Sequence, residues 1–305
     1  MANATRALVL GIGGGGDIVG ALATAHLCRR LETPVVMGGV TWERLPIDPR
    51  PGPRSTAEIV GAGEVAPGIL LAGPETRTVD GAVFAESRMA GVLGEQTVLV
   101  DVGMGAEGVA EGLSIAAAML GCDLIVFVDV GGDVLASGTE PGLASPLCDA
   151  VMLAAAALMQ RRGETVLGAV FGPGCDGELT LEELLGRLAL VCAGGGLLGL
   201  EALSPEVADE IERAAGMIPT EASAQAVRCA RGEVGETKIR GGRRTVHLSP
   251  FGATTVYFDP QRAVETAAPL ARAVVDAGDL DGAQERLHEL GVRTELDYER
   301  AHGDR

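Results

Sequence analysis

The stretch Thr97–Gly132, TVLVDVGMGAEGVAEGLSIAAAMLGCDLIVFVDVGG, decides the fold. Two apolar runs, TVLVDVG and LIVFVDVGG, flank a segment whose small and apolar residues recur at helical spacing. Continuous apolar runs of this length mark strands buried on both faces, the pattern of a parallel sheet. Their aspartates, Asp101 and Asp129, lie 28 residues apart, the length of a strand–helix–strand unit with a right-handed crossover.

Working outward, Arg6–Ile12 and Pro34–Val40 read as further buried strands around a helix at Asp17–Leu31. Downstream, the spacing predicts a helix over Pro146–Arg162, a strand over Thr165–Phe171 and a helix over Leu181–Val191 ending at Gly194–Gly196. Helices near Pro205–Ala215 and Thr220–Arg231 follow. Short strands at Thr245–Leu248 and Thr254–Phe258 flank a Ser-Pro-Phe-Gly turn, and two amphipathic helices fill Pro260–Gly291. Residues 42–65, rich in Pro, Arg and Gly, read as a long loop: either a solvent-exposed excursion or a lid over a site. The expected architecture is a single α/β domain over residues 1–292, Rossmann-like and three-layered (α/β/α). Its sheet is mainly parallel, with a ligand crevice at the strand carboxyl ends, and residues 293–305 form a polar tail.

Among 305 residues, 24 basic against 42 acidic side chains leave a formal charge of −18. That charge repels phosphate backbones and anionic lipid, so neither nucleic acid nor a membrane surface is an expected partner. A hydrophobic content of 47% argues against disorder. No leader or membrane span is legible, and the six cysteines, scattered singly, suit a reducing cytoplasm. Cys175, in FGPGCDGE, is the candidate for a reactive thiol. Lys238 is the sole lysine, and an acid-rich, lysine-poor surface suits a high-salt cytoplasm.

Chemistry concentrates where strands end in glycine and aspartate. LVLGIGGGGDIVGA sets Gly11, Gly13 and Gly16 in a Gly-x-Gly-x-x-Gly pattern between strand and helix, with Gly14 and Gly15 completing a ligand loop. NAD is disfavoured, because the second strand ends Gly38-Gly39-Val40 without the acid that holds a ribose. Asp17, Asp101, Asp129 and Asp133 are the expected metal ligands. An oxygen-rich cluster suits Mg²⁺, Mn²⁺ or Ca²⁺, whereas the lack of His/Cys ligand spacing disfavours zinc. The competing reading has each aspartate capping its own turn. Asp129, Asp133 and Glu140 are the catalytic candidates, with Ser145 and Asp149 nearby. Asp176 or Glu178 has a place at the crevice, although Glu178 reads first as a carboxylate of a helix's opening turn. The basic island Lys238, Arg240, Arg243, Arg244 and His247 offers Arg240, Arg243 and Arg244 as clamps for an anion, or as partners for acids of a neighbouring subunit.

Three resemblances follow from these residues. GIGGGGDIVGALATA (Gly11–Ala25), GGVTWERLPIDPRPGPR (Gly38–Arg54), DVGGDVLASGTEPGLASPLCDA (Asp129–Ala150) and IRGGRRTVHLSPFGATT (Ile239–Thr255) resemble a mainly archaeal family, domain of unknown function 1152. That resemblance marks Gly11–Asp17, Asp129–Asp133, Glu140 and Ser145–Asp149 as motif positions and implies no reaction. VLVDVGMGAEG is similar to the nucleotide loop of S-adenosylmethionine-dependent methyltransferases through Asp101, Gly103 and Gly105, but Glu107 replaces the third glycine, which disfavours that cofactor. GIGGGGD is similar to the glycine/aspartate loop of the D-glutamate cyclase family. The expected function is therefore a cytoplasmic, homo-oligomeric, metal-dependent hydrolase or lyase acting on a small anionic metabolite, a phosphorylated one among the candidates. A non-catalytic metabolite-binding protein and a methyltransferase are the alternatives.

Overall fold

The apolar run Ala7–Gly11 forms strand β1, with every residue buried. A computed structural model describes residues 1, 3–45 and 47–303. The remaining strands are β2 (Val35–Val40), β3 (Ile59–Ala66), β4 (Ile69–Thr78), β5 (Thr97–Val100), β6 (Leu124–Val130), β7 (Val166–Phe171), β8 (Leu197–Ala202), β9 (Gly235–Ile239), β10 (Arg244–Leu248) and β11 (Thr254–Phe258).

Nine of these strands form one sheet in the order β3-β4-β5-β2-β1-β6-β7-β11-β8. The five central strands, β5 to β7, run parallel. Antiparallel partners extend both edges. Side chains alternate across β1, as the two-residue strand period requires. Leu8 and Leu10 pack with Val98 and Phe127 on one face, while Ala7 and Val9 pack with Met37 and Val126 on the other. Helices Gly105–Leu120 and Pro146–Arg161 cover the first face; Asp17–Arg30, Ala85–Leu93 and Pro205–Ala215 cover the second. The result is a single three-layer α/β domain with a Rossmann-like arrangement.

From β1 the chain moves to β2 and then outward, past a hairpin, to β5. It returns to β6 on the other side of β1 and continues to β7. Strands β1 and β6 are therefore neighbours whose outgoing connections diverge, and such a divergence opens a crevice beyond their carboxyl ends. The glycine loop leaves β1 there, and Asp129 to Asp133 leave β6.

Several expectations change. The strands of the two VDVG segments are parallel but not adjacent, because β2 and β1 lie between β5 and β6. Residues 42–65 are not wholly a loop: β3 begins at Ile59 and pairs with β4 in a hairpin at the sheet edge. Its exposed residues, interspersed glycines and register irregularities leave no two-residue alternation to read. Strand β8 was concealed in the same way, as an edge strand whose leucines are partly exposed. Strands β10 and β11 do not pair with each other; β10 joins β9 in a separate ribbon, and β11 enters the main sheet. Pro269 interrupts the C-terminal helical region, giving Pro260–Thr266, Pro269–Val274 and Leu280–Glu289 instead of two helices. The expected polar tail contains the helix Glu295–His302, opened by a Thr294/Asp297 capping box. Among the described residues, no helix is long and apolar enough to cross a membrane.

Candidate functional site

The glycine loop curls over the start of helix Asp17–Arg30. Gly14 has φ of +81°, and a Cβ there would sit 2.7 Å from the carbonyl oxygen of Trp42. Only glycine suits that combination of handedness and close approach. The turn brings the Gly13 N–H onto Asp17 Oδ2 at 2.9 Å. Gly11 lies behind the loop, where its missing Cβ admits the backbone of Ile18. It shapes the turn without lining the cavity.

Beyond the loop is a cavity of about 300 Å³. Gly13 to Gly16, Asp17, Asp129, Asp133, Ser145, Asp149, Asp176, Glu178, Arg240 and Arg244 contribute to its walls. One carboxylate oxygen from each of Asp17, Asp129 and Asp149 lies within 4.8 Å of the other two, and Asp133, Asp176 and Glu178 form a second such trio. Oxygens that share one ion at about 2.0–2.6 Å lie at most about 4–5 Å apart, so the separations in each trio are of the right order for a shared ion. Asp129 and Asp149 are 1% exposed and Asp176 is 6% exposed. Yet Asp129 Oδ2, Asp149 Oδ1 and both Asp176 oxygens lack a hydrogen-bond partner among the described residues. Gly131 makes room for this crowding, since a Cβ there would meet Asp176 Cγ at 2.1 Å.

Burial dominates the electrostatics. It pushes Asp17 up to about 7, against the opposing effects of the Gly13 N–H and Arg44. Burial, reinforced by Glu178, lifts Asp176 to about 8. Asp129, Asp133 and Asp149 are driven well above the ordinary carboxylate range by burial first and by neighbouring carboxylates second: Asp17 and Asp176 for Asp129, Glu178 and Asp149 for Asp133, Asp129 and Asp17 for Asp149. Glu178 behaves oppositely. Burial would raise it, but Arg244, Ser145 and the N–H groups of Ala144 and Ser145 together hold it below its usual value. Arg244 Nη1 lies 2.8 Å from Glu178 Oε1. A cluster of this kind is stable with shared protons or with bound cations, because bare like charges repel in a low-dielectric site.

Arg44 closes the opposite wall. Its Nη2 donates to the Gly13 carbonyl oxygen at 2.6 Å, and its guanidinium stacks over Trp42 at 4.6 Å. Glu295 and Glu299 from the C-terminal helix hold it at 3.4 and 3.6 Å. Burial works against that cation, but these carboxylates outweigh it and keep Arg44 charged. Glu295 also accepts from the N–H groups of Leu147 (3.0 Å) and Cys148 (2.9 Å), capping helix Pro146–Arg161.

The structure thus brings Asp17, Asp129, Asp133, Ser145, Arg240 and Arg244 together and leaves other candidates apart. Asp101 ends β5, three strands from β6, which at 4.7–4.9 Å per strand is about 14 Å. Its carboxylate accepts from the N–H groups of Gly103 (3.0 Å) and Thr56 (3.3 Å), the turn-capping alternative. Glu140 accepts from Ser137, Gly138 and Thr139 and staples its own loop. Arg243 points outward, donating to Tyr298 Oη at 3.1 Å. Cys175 is buried with its Sγ toward the Gly252 carbonyl oxygen, away from solvent. Glu178 faces the crevice instead of opening a helix, because a Thr180/Glu183 capping box starts that helix two residues later. The T-x-x-E pattern was the legible signal. Arg44, Glu295 and Glu299 were missed: Arg44 lay in the supposed loop and the glutamates in the supposed tail.

Buried carboxylates and flanking arginines at the switch point of a parallel sheet define an α/β protein with an acidic cavity. The family model described as protein of unknown function (DUF1152) matches residues 8–302, and the chain belongs to that family. No curated protein and no solved structure gives a significant match.

Proposed function

We propose that the protein is a metal-dependent hydrolase or lyase acting on a small anionic metabolite. The observation that carries this reading is the set of buried carboxylate oxygens without partners that line the cavity. Such groups cost several kcal/mol when left charged and unpaired, and a hard divalent cation offsets that cost. Asp17, Asp129 and Asp149 are the residues that would hold it. A bound cation activates water or polarises a substrate oxygen. Arg240 and Arg244, at the cavity wall, supply positive charge for a phosphate or carboxylate. Ser145 is tied to Glu178 and fixes that carboxylate's orientation. This reading places the protein among cytoplasmic enzymes of small-molecule metabolism.

The test is thermal unfolding with Mg²⁺ or Mn²⁺, followed by assay of the loaded protein on phosphorylated and carboxylated metabolites. A cation that binds the native state raises Tm in proportion to its occupancy. The expected result is a rise of several degrees in the wild type, lost in Asp129→Asn, with turnover of at least one substrate. Absence of any cation response sinks the reading. Cation binding with no turnover of any anion moves the protein to the alternative, a metabolite-binding protein.

A further inference from the structure

Six of the carboxylates that line the cavity sort into two trios, and one oxygen from each member of a trio falls within 4.8 Å of the other two. The trios adjoin, because the Asp129 and Asp133 carboxyls lie within hydrogen-bonding reach of each other. Each has an anchored member and at least one open one. In the first, Asp17 Oδ2 is fixed by the Gly13 N–H, while Asp129 Oδ2 and Asp149 Oδ1 have no partner. In the second, Glu178 is fixed by the N–H groups of Ala144 (2.7 Å) and Ser145 (2.9 Å), while both Asp176 oxygens have none. The residues left open are more than nine-tenths buried.

A single ion in the first trio would leave Asp176 unpaired beside Asp133 and Glu178. A single ion in the second would leave Asp129 and Asp149 in the same position. We propose that the cavity binds two divalent cations side by side, one on Asp17, Asp129 and Asp149 and the other on Asp133, Asp176 and Glu178. Asp129 and Asp133 stand between them. The all-oxygen donor set selects hard ions such as Mg²⁺ or Mn²⁺. Ions paired in this way in other enzymes sit about 3.5–4 Å apart. The inference rests on the metal-dependent reading above but adds a stoichiometry that reading does not require.

The experiment uses the full chain, freed of metal and dialysed against Mn²⁺, with bound metal counted per chain and electron paramagnetic resonance recorded on the same samples. Two Mn²⁺ per chain with a spin-coupled spectrum are expected. Asp176→Asn and Asp149→Asn should each bind one Mn²⁺ and give the spectrum of an isolated ion, with circular dichroism confirming that they fold. If both variants fail to fold, the wild-type stoichiometry and spectrum still decide. One Mn²⁺ per chain in the wild type overturns the two-ion proposal and leaves the metal-dependent reading standing. Two ions without coupling overturn the side-by-side arrangement. No bound Mn²⁺ overturns the proposal and the reading together.

Discussion

Replacing Glu295 by alanine tests whether the C-terminal helix is part of the site's framework. The carboxylate accepts from the N–H groups of Leu147 and Cys148 at 3.0 and 2.9 Å and lies 3.4 Å from Arg44. Glu295 is 4% exposed, so water cannot readily replace it. Losing a helix cap costs about 0.5–2 kcal/mol, and each buried donor left unsatisfied costs about 1–3 kcal/mol. Partial relaxation and overlap between these effects give an expected loss of roughly 3 kcal/mol. At about 2–4 °C per kcal/mol for chains somewhat shorter than this one, Tm should fall by about 5 °C or more. Urea unfolding at fixed pH and scanning calorimetry provide independent readings. Glu295→Gln, which retains one acceptor, should lose less. A fall in Tm below about 2 °C for Glu295→Ala would refute the claim that this carboxylate braces the helix and Arg44.

Burial also pushes Glu43, 6% exposed, up to about 7 from an ordinary 4.5. The folded state therefore keeps a proton that the unfolded state releases between these values, so this contribution is complete below pH 4.5 and is lost as pH rises through about 7. Its size is on the order of 3 kcal/mol, and Glu43→Gln should flatten that part of the stability–pH curve in metal-free protein; an unchanged slope would refute it. A Cβ at Gly16 would meet Thr220 Cβ at 2.4 Å and the Pro219 carbonyl oxygen at 2.7 Å, whereas one at Gly186 meets nothing within 4 Å. Gly16→Ala should destabilise by about 1–3 kcal/mol and the helical Gly186→Ala should stabilise by about 0.5–1 kcal/mol, so equal denaturation midpoints would count against the packing described. Of the six cysteines only Cys192 is exposed, so a thiol reagent should titrate one group rapidly in the native protein and all six in denaturant. Rapid reaction of several native thiols would contradict that burial.

The central parallel strands were legible because both faces are buried and their sequences are continuously apolar, as in LIVFVDV of β6. The edge strands were not, because β3 and β8 alternate weakly and carry glycine. At the site, Asp17, Asp129 and Asp133 stood out because each follows a strand beside glycines. The same rule misled at Asp101, since the order of strands, which local sequence does not encode, separates β5 from β6. Asp149 lay inside a helix, where a carboxylate looks like a solvated residue, but helix Pro146–Arg161 is buried on almost every side. Glu295 and Glu299 had no local signal beyond a capping box, because their partners Arg44 and Trp42 stand more than 200 residues away.

That separation bears on how the protein is made. Domains fold as the ribosome releases them, N-terminal parts first, at about 5–20 residues per second. Here the glycine loop at Gly13 depends on Arg44, and Arg44 depends on carboxylates 251 and 255 positions later. A nascent chain can pair β1 with β2 early, but its glycine loop lacks this clamp until helix Glu295–His302 emerges. Residues made late thus secure a loop made far earlier, so the acidic cavity gains its clamp long after its glycine loop has been made.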